Sequence, residues 1–292
     1  MMERAKSLAG PWESKQLNHV DKKIDKEPNQ GGLIQLPGGD WWFVTHQGTG
    51  DWEGRAMVLL PVSWVDGWPI IGHVGADGIG TMIWSNPKTI AGSSTFTQQT
   101  DDDFNEAALP PQWEWNYQPR ADKWSLSEHP GALRLHAFRP INADDLLKAG
   151  NTLTQRVIRS KRNVVIVKLD LSGMADGQSA GICHFAKGYS MLSITQSSGV
   201  RTIATVEKGK RDSGIRISAS AVWLKSEWGF DGLSRFSFSL DGTHFSELGD
   251  PYQLSWGYYR GDRIGLYTFN DKQDSGYVDF SRFTYTFSPP PG

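Results

Sequence analysis

The chain has 292 residues, room for two domains of ordinary size, and 38% of them are hydrophobic, enough for a real core. Its 30 Lys and Arg against 32 Asp and Glu give a net charge of −2, mixed along the chain, which argues against nucleic acid as the main partner because phosphate binding needs a concentrated positive field. The single cysteine, Cys183, excludes an internal disulfide framework and a Cys-based zinc site, and no apolar run reaches the roughly 18 residues of a membrane-spanning helix.

Read in chain order, residues 1–30 are polar and show no apolar stretch of a signal sequence. Short runs at 33–36, 41–46, 55–61 and 63–65 read as strands, because β-branched and aromatic residues there are bounded by Pro-Gly-Gly-Asp (37–40) and Asp-Gly (66–67) turn sequences. Residues 75–100 are rich in Gly, Ser and Thr and poor in long apolar side chains, the composition of a linker or extended strap. Further strands are expected at 131–138, 163–170, 180–186, 190–195, 200–206, 219–226, 235–239, 263–269 and 276–285. In RFSFSLDG (235–242) polar and apolar residues alternate strictly and then meet an Asp-Gly turn, the pattern of a half-buried strand entering a hairpin. Helix is expected at 143–149 alone, for one or two turns. The reading is an all-β chain with a first part of blade size and a second part of two-sheet sandwich size. Thirteen Trp is several times the usual frequency. Flat aromatic faces with a polar edge suit sugars, although most large aromatics simply fill cores.

Several stretches carry a family resemblance. QGGLIQLPGGDWWFVTHQGTGDWEGRAMVLLPVSWVDGWPIIG (30–72) resembles the last propeller blade of glycoside hydrolase family 43, the β-xylosidases and α-L-arabinofuranosidases. DDFNEAALPPQWEWNYQPRADKWSLSEHPGALRLHAF (102–138), NTLTQR (151–156), KLDLSGMADGQSAGI (168–182), FSFSLDG (236–242) and the run at 261–285 resemble the concanavalin A-like sandwich that follows it. The resemblance implies a partial five-bladed β-propeller (the last blade or so) over 1–98, followed by a concanavalin A-like antiparallel β-sandwich over 99–292. It also implies inverting hydrolysis of xylosidic or arabinosidic bonds by the complete enzyme, with a xylan- or arabinan-derived oligosaccharide as partner and neither nucleic acid nor membrane. No cofactor is required. Compartment is left open by this chain, the complete enzyme being expected in the periplasm or outside the cell.

The same resemblance places the catalytic residues. The opening ERAKSLAGPWE (3–13) is similar to the strand that follows the family's general acid, so the general base Asp, the orienting Asp and the general acid Glu are all expected upstream of Met1. Arg55 resembles the arginine that hydrogen-bonds sugar hydroxyls in the −1 subsite, a task that suits a planar, permanently charged fork; a salt bridge at a strand start is the plainer alternative. Gln30 and Gln47 are candidates for further hydroxyl contacts. Trp41 and Trp42 alternate across one strand, with Trp42 as the candidate to approach the pocket. Tyr258 and Tyr259 precede GDRIGL where the family's sandwich offers an aromatic to the pocket rim, Tyr259 being the candidate and exposed packing the alternative. Asp51 and Glu53, in the loop before Arg55, are a weak stand-in pair, and Asp40 and Asp66 are turn residues. Asp103 with Asp279, beside Asp102, could hold a structural calcium that pins the terminal strands, or be ordinary turn and edge acids. Two rival readings stay open: a non-catalytic carbohydrate-binding or support module, and an inactive gene fragment.

Overall fold

The computed structural model describes residues 1–19, 30–48, 51–81, 100–142, 146–257 and 259–288. The chain divides into two compact units, Met1–Gly50 with Arg55–Phe96, and Asp51–Gly54 with Thr97–Gly292.

In the first unit, β1 (Met2–Arg4) and β2 (Glu13–Lys15) form an antiparallel ribbon, and β3 (Gly31–Gln35), β4 (Trp41–Gly48), β5 (Arg55–Val65) and β6 (Trp68–Ile71) form a meander in chain order. The β5–β6 connection is a two-residue hairpin in which Asp66 and Gly67 both have positive φ (52° and 72°). That geometry matches the right-handed twist of the strands and explains the Asp-Gly sequence. Arg4 ties the ribbon to this turn: it pairs with Glu13 at 2.8 Å, donates to the Asp66 carbonyl at 2.9 Å and lies 4.0 Å over the Trp68 ring. The core is small, made of Leu17, Leu60, Trp68, Ile70 and Ile71. The stretch expected to be a linker begins with another hairpin, β7 (His73–Val74) and β8 (Gly80–Thr81); its residues 82–99 lie outside the described residues.

The second unit is built from two eight-stranded antiparallel sheets. Their strands are β9 (Glu114–Trp115), β10 (Trp124–Ser125), β11 (Leu133–His136), β12 (Leu153–Arg156), β13 (Asn163–Asp170), β14 (Gln178–Phe185), β15 (Tyr189–Ser197) and β16 (Val200–Glu207), then β17 (Lys210–Arg211), β18 (Ile215–Ile217), β19 (Ala221–Trp228), β20 (Leu233–Ser239), β21 (Ser246–Glu247), β22 (Tyr252–Gln253), β23 (Arg263–Asn270) and β24 (Tyr277–Phe287). One sheet has the order β10-β11-β24-β13-β19-β20-β21, with β22 also on β20; the other runs β17-β16-β15-β14-β23-β12-β9, with β18 also on β16. In β13 and β19 buried residues alternate with half-buried ones, so one face of each strand enters the core. Val165, Val167 and Leu169 meet Val222 and Leu224 on that face, within one cluster that also takes in Ile182, Leu192, Ile264, Leu266 and Phe280.

The other sheet is covered on both sides. β14 and β23 are buried almost throughout, because Cys183, Phe185, Tyr189, Met191, Tyr267 and Phe269 form a second apolar cluster with Leu146 and Ala149. Leu146 belongs to a single 3-10 turn, Leu146–Lys148, which is what the helical expectation at 143–149 becomes; residues 143–145 lie outside the described residues. Asp51–Gly54 also belong to this unit, and Trp52 is a fully packed member of its core at 2% exposure.

Candidate functional site

The register of the first unit sorts the candidate residues by face. Arg55 opens β5 directly opposite Gly48 of β4, and His46 stands two residues along the same face. Arg55 Nη1 lies 3.2 Å from His46 Nε2. Trp42 shares that face, and its buried Nε1 meets no hydrogen-bond partner among the described residues. An arginine fork, an imidazole and an indole N–H therefore line one side of a strand pair. Gln47, one residue from His46, points to the opposite face. Trp41 also faces that way, where it packs edge-on against Trp64 at 5.4 Å. Gln30 is exposed, and its carbonyl accepts from Thr45 Oγ1 at 2.6 Å. His46 was not singled out by sequence reading; the signal that could have found it is the hairpin register, which sets residues 46 and 55 side by side.

In the second unit, Asp51 and Glu53 converge on Arg159, at 2.9 and 2.7 Å from Nη1, and the guanidinium lies 5.4 Å over the Trp52 ring. Partial burial works to raise the Asp51 pKa, but the Arg159 hydrogen bond, the Trp52 N–H and the Arg159 charge together hold it below its ordinary value. These acids share one cation, and their geometry is that of a loop clamp. Tyr259 is 62% exposed in the loop before β23; Tyr258 lies outside the described residues.

Asp103 and Asp279 have different surroundings. Asp103 is exposed and accepts the Asn105 N–H at 3.3 Å. Asp279 is buried at 4% exposure, with Arg134 donating to both of its oxygens at 2.7 and 2.8 Å and His129 Nδ1 2.7 Å from Oδ2. Calcium takes roughly six to eight oxygen ligands, and at Asp279 it would compete with the Arg134 guanidinium and the His129 ring nitrogen already in place. Among the described residues no group of three or more His, Cys, Asp or Glu is arranged to hold a metal. Direct contacts also pin the terminal strands. Asp102 exchanges two backbone hydrogen bonds with Phe283, at 2.9 and 3.0 Å, its side chain accepts from Phe104 N–H and Trp113 Nε1, each at 2.7 Å, and Thr100 Oγ1 donates to the Tyr285 carbonyl at 2.6 Å.

One further constellation has catalytic-looking spacing. His184 Nε2 is 2.7 Å from Ser226 Oγ, and Nδ1 is 3.4 Å from Asp262 Oδ1. All three side chains are fully buried, and Ser226 Oγ also bonds Ser234 at 2.9 Å. With no path for a substrate, this is a polar network inside the core, packed edge-on against Trp228.

Residues 101–286 match the family of the β-xylosidase C-terminal concanavalin A-like domain. The chain belongs to that family. This family 43 chain is 33% identical to a β-xylosidase of Formosa agariphila over 97% of its own length and 52% of the relative. It is also 33% identical to a non-reducing end α-L-arabinofuranosidase of Bacteroides ovatus, over 46% of this chain and 27% of that protein. Among solved structures, a bifunctional GH43-CE protein of Bacteroides eggerthii superposes with a TM-score of 0.76 at 28% identity, covering 99% of this chain and 37% of that one. The family 43 chain thus spans about half the length of the curated β-xylosidases it matches, 52% and 49%.

Proposed function

We propose that the chain is the C-terminal part of a glycosidase that cleaves xylosidic or arabinosidic bonds in plant polysaccharide with inversion. In this reading the first unit is the last blade or so of a five-bladed propeller, residues 1–98 and 99–292 being the two domains, and the second unit is its supporting sandwich. Arg55 binds hydroxyls of the sugar at the cleavage point, with His46 orienting the guanidinium, and Trp42 and Gln30 line the same approach. The observation that carries this reading is the Arg55–His46 pair on one face of the β4–β5 hairpin, in a chain whose relatives are named β-xylosidase and α-L-arabinofuranosidase.

Inverting hydrolysis needs two carboxylates about 6.5–9.5 Å apart, one protonated and one ionised. Asp51 and Glu53 share one arginine in a loop clamp, and Arg159 helps hold the Asp51 carboxyl below its ordinary pKa, which is not the arrangement of an acid and a base flanking a sugar. The general base and general acid are therefore assigned to sequence outside this chain. Arg134, rather than calcium, is taken as the counter-ion of Asp279.

The test is turnover of aryl β-xyloside and aryl α-L-arabinofuranoside. The 292-residue chain alone should give none. A full-length enzyme containing it should turn over one of the two and lose about a hundredfold in kcat/KM on Arg55→Ala, the order expected for a lost charged contact in the transition state. Arg55-dependent turnover by the isolated chain would overturn the assignment of the carboxylates. The exposed ring of Tyr259 favours a second reading, a non-catalytic carbohydrate-binding module. Retention of the chain on insoluble xylan, abolished by Tyr259→Ala, would select it.

A further inference from the structure

The outward face of β19, β20 and β21 carries a groove of about 610 Å³. The inward residues Val222, Leu224 and Ser226 enter the core, so Lys225 and Glu227 point outward, opposite Ser237 and Arg235, and Glu247 stands opposite Ser237 on the next strand. Loops at 161–162 and 229–231 close one end.

The charges here are unevenly used. Glu227 is held by Arg162 at 2.8 Å and by Lys225 at 3.6 Å, and Asp231 accepts the Leu233 N–H at 3.1 Å. Lys161 and Arg235, both exposed and both lining the groove, have no ion-pair or hydrogen-bond partner among the described residues. One hydroxyl beside them is buried and also unmatched: Ser237 Oγ, on a residue only 2% exposed that points to the outward face opposite Lys225. A buried donor left without an acceptor costs on the order of 1–3 kcal/mol, so the groove is built to receive acceptors.

We propose that this groove is a saccharide site distinct from the Arg55 face, and that its ligand is an oligosaccharide bearing a uronic-acid carboxylate. The carboxylate meets Arg235 and Lys161, as a planar guanidinium favours. A sugar oxygen accepts from Ser237, and the Glu247 carboxylate accepts from a hydroxyl. The sugar part of this assignment rests on the carbohydrate reading above; the acidic part rests on the groove's own charges.

The test is binding to the whole chain, followed by the backbone amide resonances of Arg235 and Ser237 and by calorimetry. Three probes are used: a xylo-oligosaccharide with a glucuronic acid branch, the same oligosaccharide unbranched, and free glucuronate. The branched probe should bind, shift the Arg235 and Ser237 amide signals and weaken with salt. Arg235→Ala should cost about tenfold in affinity, with Arg235→Lys restoring part of it and Tyr259→Ala changing nothing. Arg235 is exposed, so an unchanged circular dichroism spectrum is expected as the folding control. Equal binding of branched and unbranched probes, or indifference to Arg235→Ala, would overturn the carboxylate assignment. Tight binding of free glucuronate alone would overturn the oligosaccharide, and no binding by any probe would overturn the site. Arg55-dependent turnover by the full-length enzyme is read separately, so loss of either proposal leaves the other visible.

Discussion

At the residue scale, Asp279 shows how one buried charge makes stability depend on pH. Burial pushes its carboxyl up, yet hydrogen bonds from Arg134 and His129 and their charges outweigh that and hold it below the ordinary 3.8. A depressed folded-state pKa means stability that is fully present above the unfolded value and is lost as pH falls through the folded one. The sandwich should therefore lose stability as pH drops below about 4, and Asp279→Asn should flatten that part of the profile in urea titrations. Arg134→Ala leaves the carboxylate buried with one remaining partner and should cost about 3 kcal/mol at neutral pH, read as a lower urea midpoint. Calcium against chelator should leave the melting temperature unchanged; a rise with calcium would place a cation at Asp279 after all. Chemistry at this scale was only half legible in sequence. The residue types at 55 and 279 announced charge recognition, but their partners His46 and Arg134 are set by cross-strand register, which no short window of sequence states. The His184–Ser226–Asp262 network was silent for the same reason, since its members are 36 or more positions apart.

At the scale of elements, strands with one wet face were readable and strands with two dry faces were not. Residues 163–170 and 235–239 alternate and were found within a residue or two of β13 and β20. β14 and β23 are anticipated as strands at 180–186 and 263–269, but the cluster on their outer face is not, because a period of two vanishes when both sides are buried. Two-residue strands such as β9 carry no pattern at all. Glycines mark one tertiary constraint that composition merely hinted at. Gly54 and Gly261 sit at φ of 75° and 73°, and a Cβ on either would collide with the backbone of the other's loop. The adjacent Asp262 N–H donates to the Trp52 carbonyl at 2.7 Å, which completes the clamp. Gly261→Ala should thus combine a left-handed backbone penalty with a clash and cost about 2–3 kcal/mol. Gly78→Ala, where φ is 73° but nothing lies within 4 Å, should cost about 1 kcal/mol. A thermal melt of the two variants separates close approach from backbone strain.

At the scale of the molecule, the two units differ in how much apolar surface they bury. Among the described residues, the apolar cluster of the first has five buried side chains, while the second fills two separate clusters with residues from both of its sheets. Protection from hydrogen exchange follows local stability. Amides of β13, β14 and β23 should exchange only through global opening of the sandwich, and those of β3 and β4 should exchange at least about a hundredfold faster. Equal protection in both sets would show that the small sheet is held by more than its own core.

The one cysteine turns that difference into something a simple reagent can time. Cys183 is fully buried, its Sγ 3.7 Å from the Gly265 carbonyl, and burial raises its thiol pKa far above the ordinary range. The native thiol is therefore both unreachable and un-ionised. A chromogenic disulfide added to folded protein can react only in the moments when the cover over the outer face of β14, Leu146 and Ala149 included, opens or β14 itself parts from its neighbours. At high reagent concentration the colour then develops at the opening rate itself and no longer depends on how much reagent is present. The single sulfur works as a stopwatch for the sandwich, and the small sheet, which holds no cysteine, leaves it untouched.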